Sequence, residues 1–275
     1  MSDNDDIQIG RILTRREVLV LLGAAGTAVT IAACAPGAAA SPSGGAASAG
    51  SSAGASGGTA SASAGATSSE LAGTPSCVVK PALTEGPYFV DEKLNRSDIT
   101  ANADGSNPRQ GAALSLAFAI SKVASSGCTP LANALVDVWH CDAVGSYSDI
   151  SAGGNGSDTT GQNWLRGYQL TDASGKATFK TIYPGWYQGR TVHIHFKIRT
   201  NAGASGGTEF TSQLFVDDAI SDAVFANAPY STKGSRGIRN EGDSIYGQSN
   251  GQLTLALAGD ATSGFTTTFA VGLQA

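Results

Sequence analysis

Pro184-Gly185-Trp186-Tyr187-Gln188-Gly189-Arg190-Thr191-Val192-His193-Ile194-His195-Phe196-Lys197-Ile198 is the stretch on which the reading of this chain turns. Its second half, Val192–Ile198, alternates side-chain character residue by residue and reads as a strand. In a strand, residues i and i+2 share a face, so His193 and His195 stand side by side. Ile194, Phe196 and Ile198 line the opposite face, which predicts that this face is buried. The chain has 275 residues and only 3 His. Two of the three in one H-x-H form half of a metal site. The residues leave open what completes it. His140, after Trp139 on another expected strand, would give three imidazoles, a set that suits zinc or copper. Tyr187, one short turn before the pair, and Tyr147, after Gly145-Ser146, would instead bring phenol oxygens.

Working outward, the domain reads as β throughout. Strands are expected at Ala113–Ile120, Ala134–His140, Lys176–Tyr183, Phe210–Val216, Gln252–Ala258 and Gly264–Val271, separated by spacers rich in Gly, Asn, Asp and Ser. Asp172-Ala173-Ser174-Gly175 is a turn sequence, and a short helical turn is expected around Asp217–Asn227. Short strands with such turns predict an all-β, antiparallel sandwich or barrel.

The first quarter of the chain has a different character. Thr14-Arg15-Arg16-Glu17-Val18-Leu19 is a twin-arginine pattern, and an apolar run of 16 residues, Val18–Ala33, follows it. That is shorter than the roughly 20 residues a spanning helix needs. Ile31-Ala32-Ala33-Cys34 resembles a lipobox, so residues 1–34 read as an export signal with Cys34 as the lipidated residue. Residues 35–70 hold 13 Ala, 10 Ser and 8 Gly. Such a segment buries too little apolar surface to offset its chain entropy and is expected to be a disordered tether. Residues 71–275 then form the folded domain, exported and either held by lipid to the outer side of the cell membrane or secreted.

Charge narrows the functions further. The chain is 14% charged, with a formal net charge of -5, and the domain carries 14 basic against 17 acidic residues. That argues against a nucleic-acid partner. Of the 4 Cys, Cys77 and Cys128 are the expected disulfide, because Cys141 sits beside His140 within a motif and is expected to be buried. Outside the cytoplasm such a bridge is permitted.

At this point the motifs resemble a family. Val136-Asp137-Val138 followed by Gly145-Ser146-Tyr147 resembles the signature of the intradiol ring-cleavage dioxygenases. The segment Pro184–Phe196 is similar to that family's second segment, Thr84-Glu85-Gly86-Pro87-Tyr88 to its N-terminal one, and Thr211-Ser212-Gln213-Leu214-Phe215 to a later strand. The resemblance implies the family's antiparallel β-sandwich. It also implies a non-haem Fe(III) held by Tyr147, Tyr187, His193 and His195. Tyr187 matches the axial tyrosine that leaves iron when substrate chelates. Arg190 matches an arginine that stabilises the substrate's carbanion-like form, and Gln213 a polar residue near the pocket. Tyr88 and Trp186 would line that pocket, with His140 beside it and Arg166 as a second local cation. The implied reaction is cleavage of a catechol-type diol by O2 to a muconate-type dicarboxylate.

The chemistry is consistent with this ligand set. A phenol titrates near 10 in water, and coordination to a trivalent ion deprotonates it. Two phenolates and a hydroxide then offset the charge of Fe(III). Two other readings compete: a zinc or copper enzyme built on His140, His193 and His195, and an exported β-sandwich binding module without turnover. No helical pattern precedes the first core strand, unlike in the family's cytoplasmic members, so monomer and homodimer both remain open.

Overall fold

The computed structural model describes residues 78–152, 157–200 and 207–274. The expected signal, the tether, Cys34 and Cys77 lie outside the described residues. Two sheets carry the domain. The first holds β1 (Ala113–Ala124), β2 (Gly127–Pro130), β5 (Lys176–Ile182), β8 (Ala258–Asp260) and β9 (Gly264–Leu273). The second has the order β4 (Arg166–Leu170), β3 (Leu135–Trp139), β6 (His193–Arg199), β7 (Glu209–Phe215).

Alternation decides what each face meets. In β1, Leu114, Leu116, Phe118 and Ile120 are buried in the core. From the second sheet, Val136, Val138, Ile194, Phe196, Ile198 and Leu214 enter the same cluster. Phe196 joins the two layers, its ring lying 5.2 Å from Phe118 and 6.0 Å from Phe269. Each such buried ring contributes about 1.5–3 kcal/mol.

The expectation of a purely antiparallel sandwich is corrected here. The second sheet is antiparallel throughout, but β1 pairs with β9 in parallel, from Leu114↔Phe265 to Lys122↔Leu273. Parallel neighbours need a long crossover. Here the whole second sheet lies between the two strands in the chain, so the last strand can close on the free edge of β1 in either direction.

Three short strands were not foreseen: β2, β8, and β4 with its Gly167. A Cβ at Gly167 would come within 2.9 Å of Ile99 Cγ2, so the position is set by close approach and not by strand pattern. Conversely, the expected strand Gln252–Ala258 is not formed, apart from Ala258, where β8 begins. Asn250 and Gly251 have φ of 48° and 73°, and the chain turns there. Only the segment around Thr254 touches β7, with Phe215 N donating to Leu253 O and Leu255 N to Phe215 O, both at 2.9 Å. Leu253 and Leu255 are still buried, which accounts for the alternation. The expected helical turn is α1 (Asp218–Phe225), capped by Asp217, which accepts from Ala219 N. A second short helix, α2 (Ser244–Gln248), is capped by Asp243. Cys128 is disulfide-bonded; its expected partner, Cys77, is outside the described residues. Among the described residues no helix is long and apolar enough to cross a membrane.

The register places the site. Trp139, His195 and Gln213 lie abreast across β3, β6 and β7, with Asp137, Lys197 and Thr211 in the next row. All of them point away from the core, on the outer face of the second sheet.

Candidate metal centre

His193 and His195 project from β6, and both are buried. His193 Nδ1 lies 2.7 Å from the carbonyl oxygen of Thr191. A carbonyl only accepts, so Nδ1 carries the proton and Nε2 presents a lone pair. His195 Nε2 is 3.1 Å from His193 Nε2, while its Nδ1 is buried without a partner. The His195 ring stacks on Trp139 at 5.0 Å and 7°. On another side it meets Gly86, whose φ is +72° and where a Cβ would sit 3.2 Å from His195 Cε1.

Two loops bring the tyrosines. The first runs from β3 through a turn organised by Asp142: its carboxylate accepts from Val144 N and Ser146 N at 3.1 and 2.9 Å, and Ser146 O accepts from Asp142 N at 2.8 Å. Gly145 (φ +85°) allows the approach of the second loop, because a Cβ there would lie 2.1 Å from Trp186 O. Gly185 is held in the same way, with a Cβ falling 2.4 Å from Asp142 O. The G-S-Y and P-G-W-Y motifs are therefore one docking surface seen from two sides, and docking brings the Tyr147 and Tyr187 rings within 5.7 Å. Tyr187 Oη lies 3.1 Å from His193 Nε2. Tyr147 is buried, and its ring is 6.2 Å from that of His195.

Electrostatics keep all four side chains neutral without a metal. Burial, then the neighbouring Tyr187, raises the Tyr147 phenol well above its ordinary value. Burial raises Tyr187 too. Burial and the charge of Arg190 push His193 down to about 3, and burial with the adjacent His193 pushes His195 well below its usual value. The two imidazoles and two phenols thus gather where burial disfavours charge and only a cation would draw off the phenol protons. This donor set fits a ferric ion, which prefers anionic oxygen. Among the described residues no group of three or more His, Cys, Asp or Glu could hold a metal; the donors that stand beside the two histidines are Tyr147 and Tyr187.

Arg190 lies at its edge. Its Nε donates to Asp243 Oδ2 at 2.8 Å and its Nη2 to Gln213 Oε1 at 2.6 Å. Gln213 passes the link on through Nε2 to Thr84 O at 2.9 Å. Burial alone would raise Asp243, but Arg190 and the Thr191 N–H hold it below the ordinary carboxylate value. Asp243 escaped the sequence reading; its one signal was the capping pattern before α2. Also missed were the ion pairs that tie down the strap carrying the expected Thr84–Tyr88 segment. The face of β6 that carries the histidines continues to Lys197 and Arg199. Lys197 pairs with Glu85 and Glu209, and Arg199 with Asp91 and Asp137. These ion pairs draw residues 84–91 across the sheet and set Tyr88 on Tyr147, at 4.4 Å and 24°.

Two expected pocket residues lie elsewhere. His140 is buried in the protein, with Nδ1 2.8 Å from Cys141 O and Nε2 2.7 Å from Thr181 Oγ1. Both nitrogens are used, so it is neither a ligand nor a pocket side chain. Trp186 packs on the main core with Lys233 4.9 Å over its ring, not among Tyr88, Tyr147 and Tyr187. Cys141 is buried, its Sγ 3.6 Å from Gly185 O.

The dioxygenase family profile matches residues 84–233, a span that holds every residue of this centre except Asp243. The chain belongs to the intradiol ring-cleavage dioxygenase family. It is 29% identical over 155 residues to catechol 1,2-dioxygenase 2 of Acinetobacter lwoffii, covering 50% of this chain and 51% of that one. It is 30% identical over 99 residues to a chlorocatechol 1,2-dioxygenase of Pseudomonas sp. strain P51, covering 30% and 37%. The chain therefore spans about half the length, or less, of these relatives. A solved intradiol ring-cleavage dioxygenase from Tetranychus urticae superposes with a TM-score of 0.61 at 28% identity, over 72% of this chain and 95% of that one.

Proposed function

We propose that the domain is a non-haem Fe(III) dioxygenase that opens a catechol-type ring between its two hydroxyl-bearing carbons, giving a muconate-type dicarboxylate. The observation that carries this is the run of contacts from Tyr187 Oη to His193 Nε2 and from His193 Nε2 to His195 Nε2, each 3.1 Å, with Tyr147 closing the group. Bound at these residues, a ferric ion would supply the electron-accepting chemistry that lets O2 attack an ionised catechol.

The chain's own residues do the rest. Ionised by such an ion, Tyr187 would accept one substrate proton at Oη, since it is the more exposed of the two phenols and sits on the loop before exposed Gln188 and Gly189. The imidazole of His193 is kept in one tautomer by Thr191 O. Arg190, aimed by Asp243 and Gln213, offsets negative charge that builds on the ring during attack. Tyr88, Trp139 and the 84–91 strap exclude water. His140 has no free nitrogen, so the three-histidine zinc or copper reading has nothing to build on.

Oxygen uptake with a panel of catechol, protocatechuate and hydroxyquinol tests the proposal. It expects one equivalent of O2 consumed per diol, with the ring-opened dicarboxylate as product. Iron-loaded protein that binds these diols without consuming O2 would make the domain a binding module. We also propose export through the twin-arginine signal with lipid on Cys34. Fatty-acid labelling that survives Cys34→Ala would exclude the lipid anchor.

A further inference from the structure

Arg166 is the first residue of β4, paired with Trp139, and it is buried. A buried guanidinium normally faces a carboxylate, because an uncompensated charge out of water costs several kcal/mol. Arg166 instead spends its donors on neutral oxygens. Nε donates to Ser148 Oγ at 2.9 Å and to Ser148 O at 3.2 Å, Nη2 to Ser148 O at 2.6 Å, and Nη1 to Tyr88 O at 2.6 Å. Glu92 and Asp149 feel the charge only from farther off. The aromatic group the guanidinium faces is Tyr147, with Cζ 6.0 Å from the ring centroid.

We infer that Arg166 is the positioning residue and internal counter-charge of Tyr147. It locks the Tyr147–Ser148 backbone to the Tyr88 strap and supplies the positive charge that a Tyr147 phenolate would answer. This inference rests on the reading of Tyr147 as a ferric ligand. It gives the buried tyrosine a second cation beside Arg190, whose charge also favours the ionised phenol. It also explains an asymmetry: Arg190 is tied to a carboxylate, Asp243, whereas Arg166 has only neutral acceptors at hydrogen-bond distance.

The test is the visible phenolate-to-iron charge-transfer band of the full, ferric-loaded chain, together with iron retained against a chelator. A cation beside the phenolate stabilises the electron donor and raises the energy of the transition. Arg166→Gln is expected to move the band to longer wavelength and to speed iron loss at least about tenfold, the usual scale for a ligand's supporting partner. Arg166→Lys keeps the charge, so its band is expected at the wild-type position even though one ammonium cannot hold both Ser148 and Tyr88. An unshifted band with wild-type iron retention in Arg166→Gln overturns the assignment. So does a band in Arg166→Lys displaced as far as in Arg166→Gln. If Arg166→Gln does not fold, Arg166→Lys alone decides: a band at the wild-type position supports the assignment and a band displaced to longer wavelength overturns it. Loss of folding in both variants overturns the assignment in favour of a purely structural arginine. A wild-type protein with no such band would fail the ferric reading itself, which keeps the two failures apart.

Discussion

The two tyrosine-bearing loops are built to different standards. The Tyr147 loop is tied at every step. Asp142 closes its turn, Thr159 Oγ1 donates to Tyr147 O at 2.7 Å, and Ser148 is clasped by Arg166. The Tyr187 loop is anchored at its start by Gly185 but opens onto exposed Gln188 and Gly189, with a long 3.4 Å contact from Arg190 N to Tyr187 O. Under the proposed function, the difference would let one donor set hold a metal and still make room for substrate. One phenol sits on a tied loop and the other on a loop that opens to solvent.

Exchanging the tyrosines breaks the comparison most sharply. Tyr147→Phe is expected to lose iron by more than about 100-fold in affinity, beyond what a supporting residue costs. Tyr187→Phe is expected to keep iron but to lower kcat by about 10²–10⁴, the scale of a lost general base. Metal analysis and steady-state oxygen uptake on both variants check this. Equal iron loss in the two would make the loops equivalent.

The joint between the loops comes next. Gly145→Ala places a methyl against Trp186 O at a φ that side chains resist. Overpacking of this kind costs about 1–3 kcal/mol. A lowered Tm is expected, together with weaker iron retention, because the mutation separates both tyrosines at once. A drop in Tm with full iron retention would mean that docking serves the fold alone.

The smallest effect is a pH slope on the fixed side. Burial, aided by the nearby Arg166 charge, pushes His140 down to about 4, below the roughly 6.5 of an unfolded chain. Between those values the unfolded state binds the extra proton. Stability is therefore lost as pH falls from about 6.5 towards 4, by up to ~1.4 kcal/mol per unit. His193 and His195 add the same sign in metal-free protein. Urea unfolding of His140→Gln across that range should show a shallower slope than wild type.

Much of this was legible in the sequence because strand alternation translates directly into faces. The H-x-H of His193 and His195 marked the outer face of the strand, and Ile194, Phe196 and Ile198 the core side. The docking glycines were visible only as motif letters. Their reason, the approach of Gly145 to Trp186 O and of Gly185 to Asp142 O, is a contact between distant segments. His140 misled for a related cause: a histidine at a strand end has no face until the strand stops, and β3 ends at Trp139. The parallel β1–β9 pairing and the cap-borne Asp243 were hidden because strand direction and long-range ion pairs leave no local period.

The central claim is that phenolate oxygens, not a third imidazole, complete the centre. The visible spectrum and metal content of the purified protein test it together. The account predicts a red-brown protein with stoichiometric iron and a phenolate-to-iron band that fades in Tyr147→Phe. A colourless protein with stoichiometric zinc would contradict it.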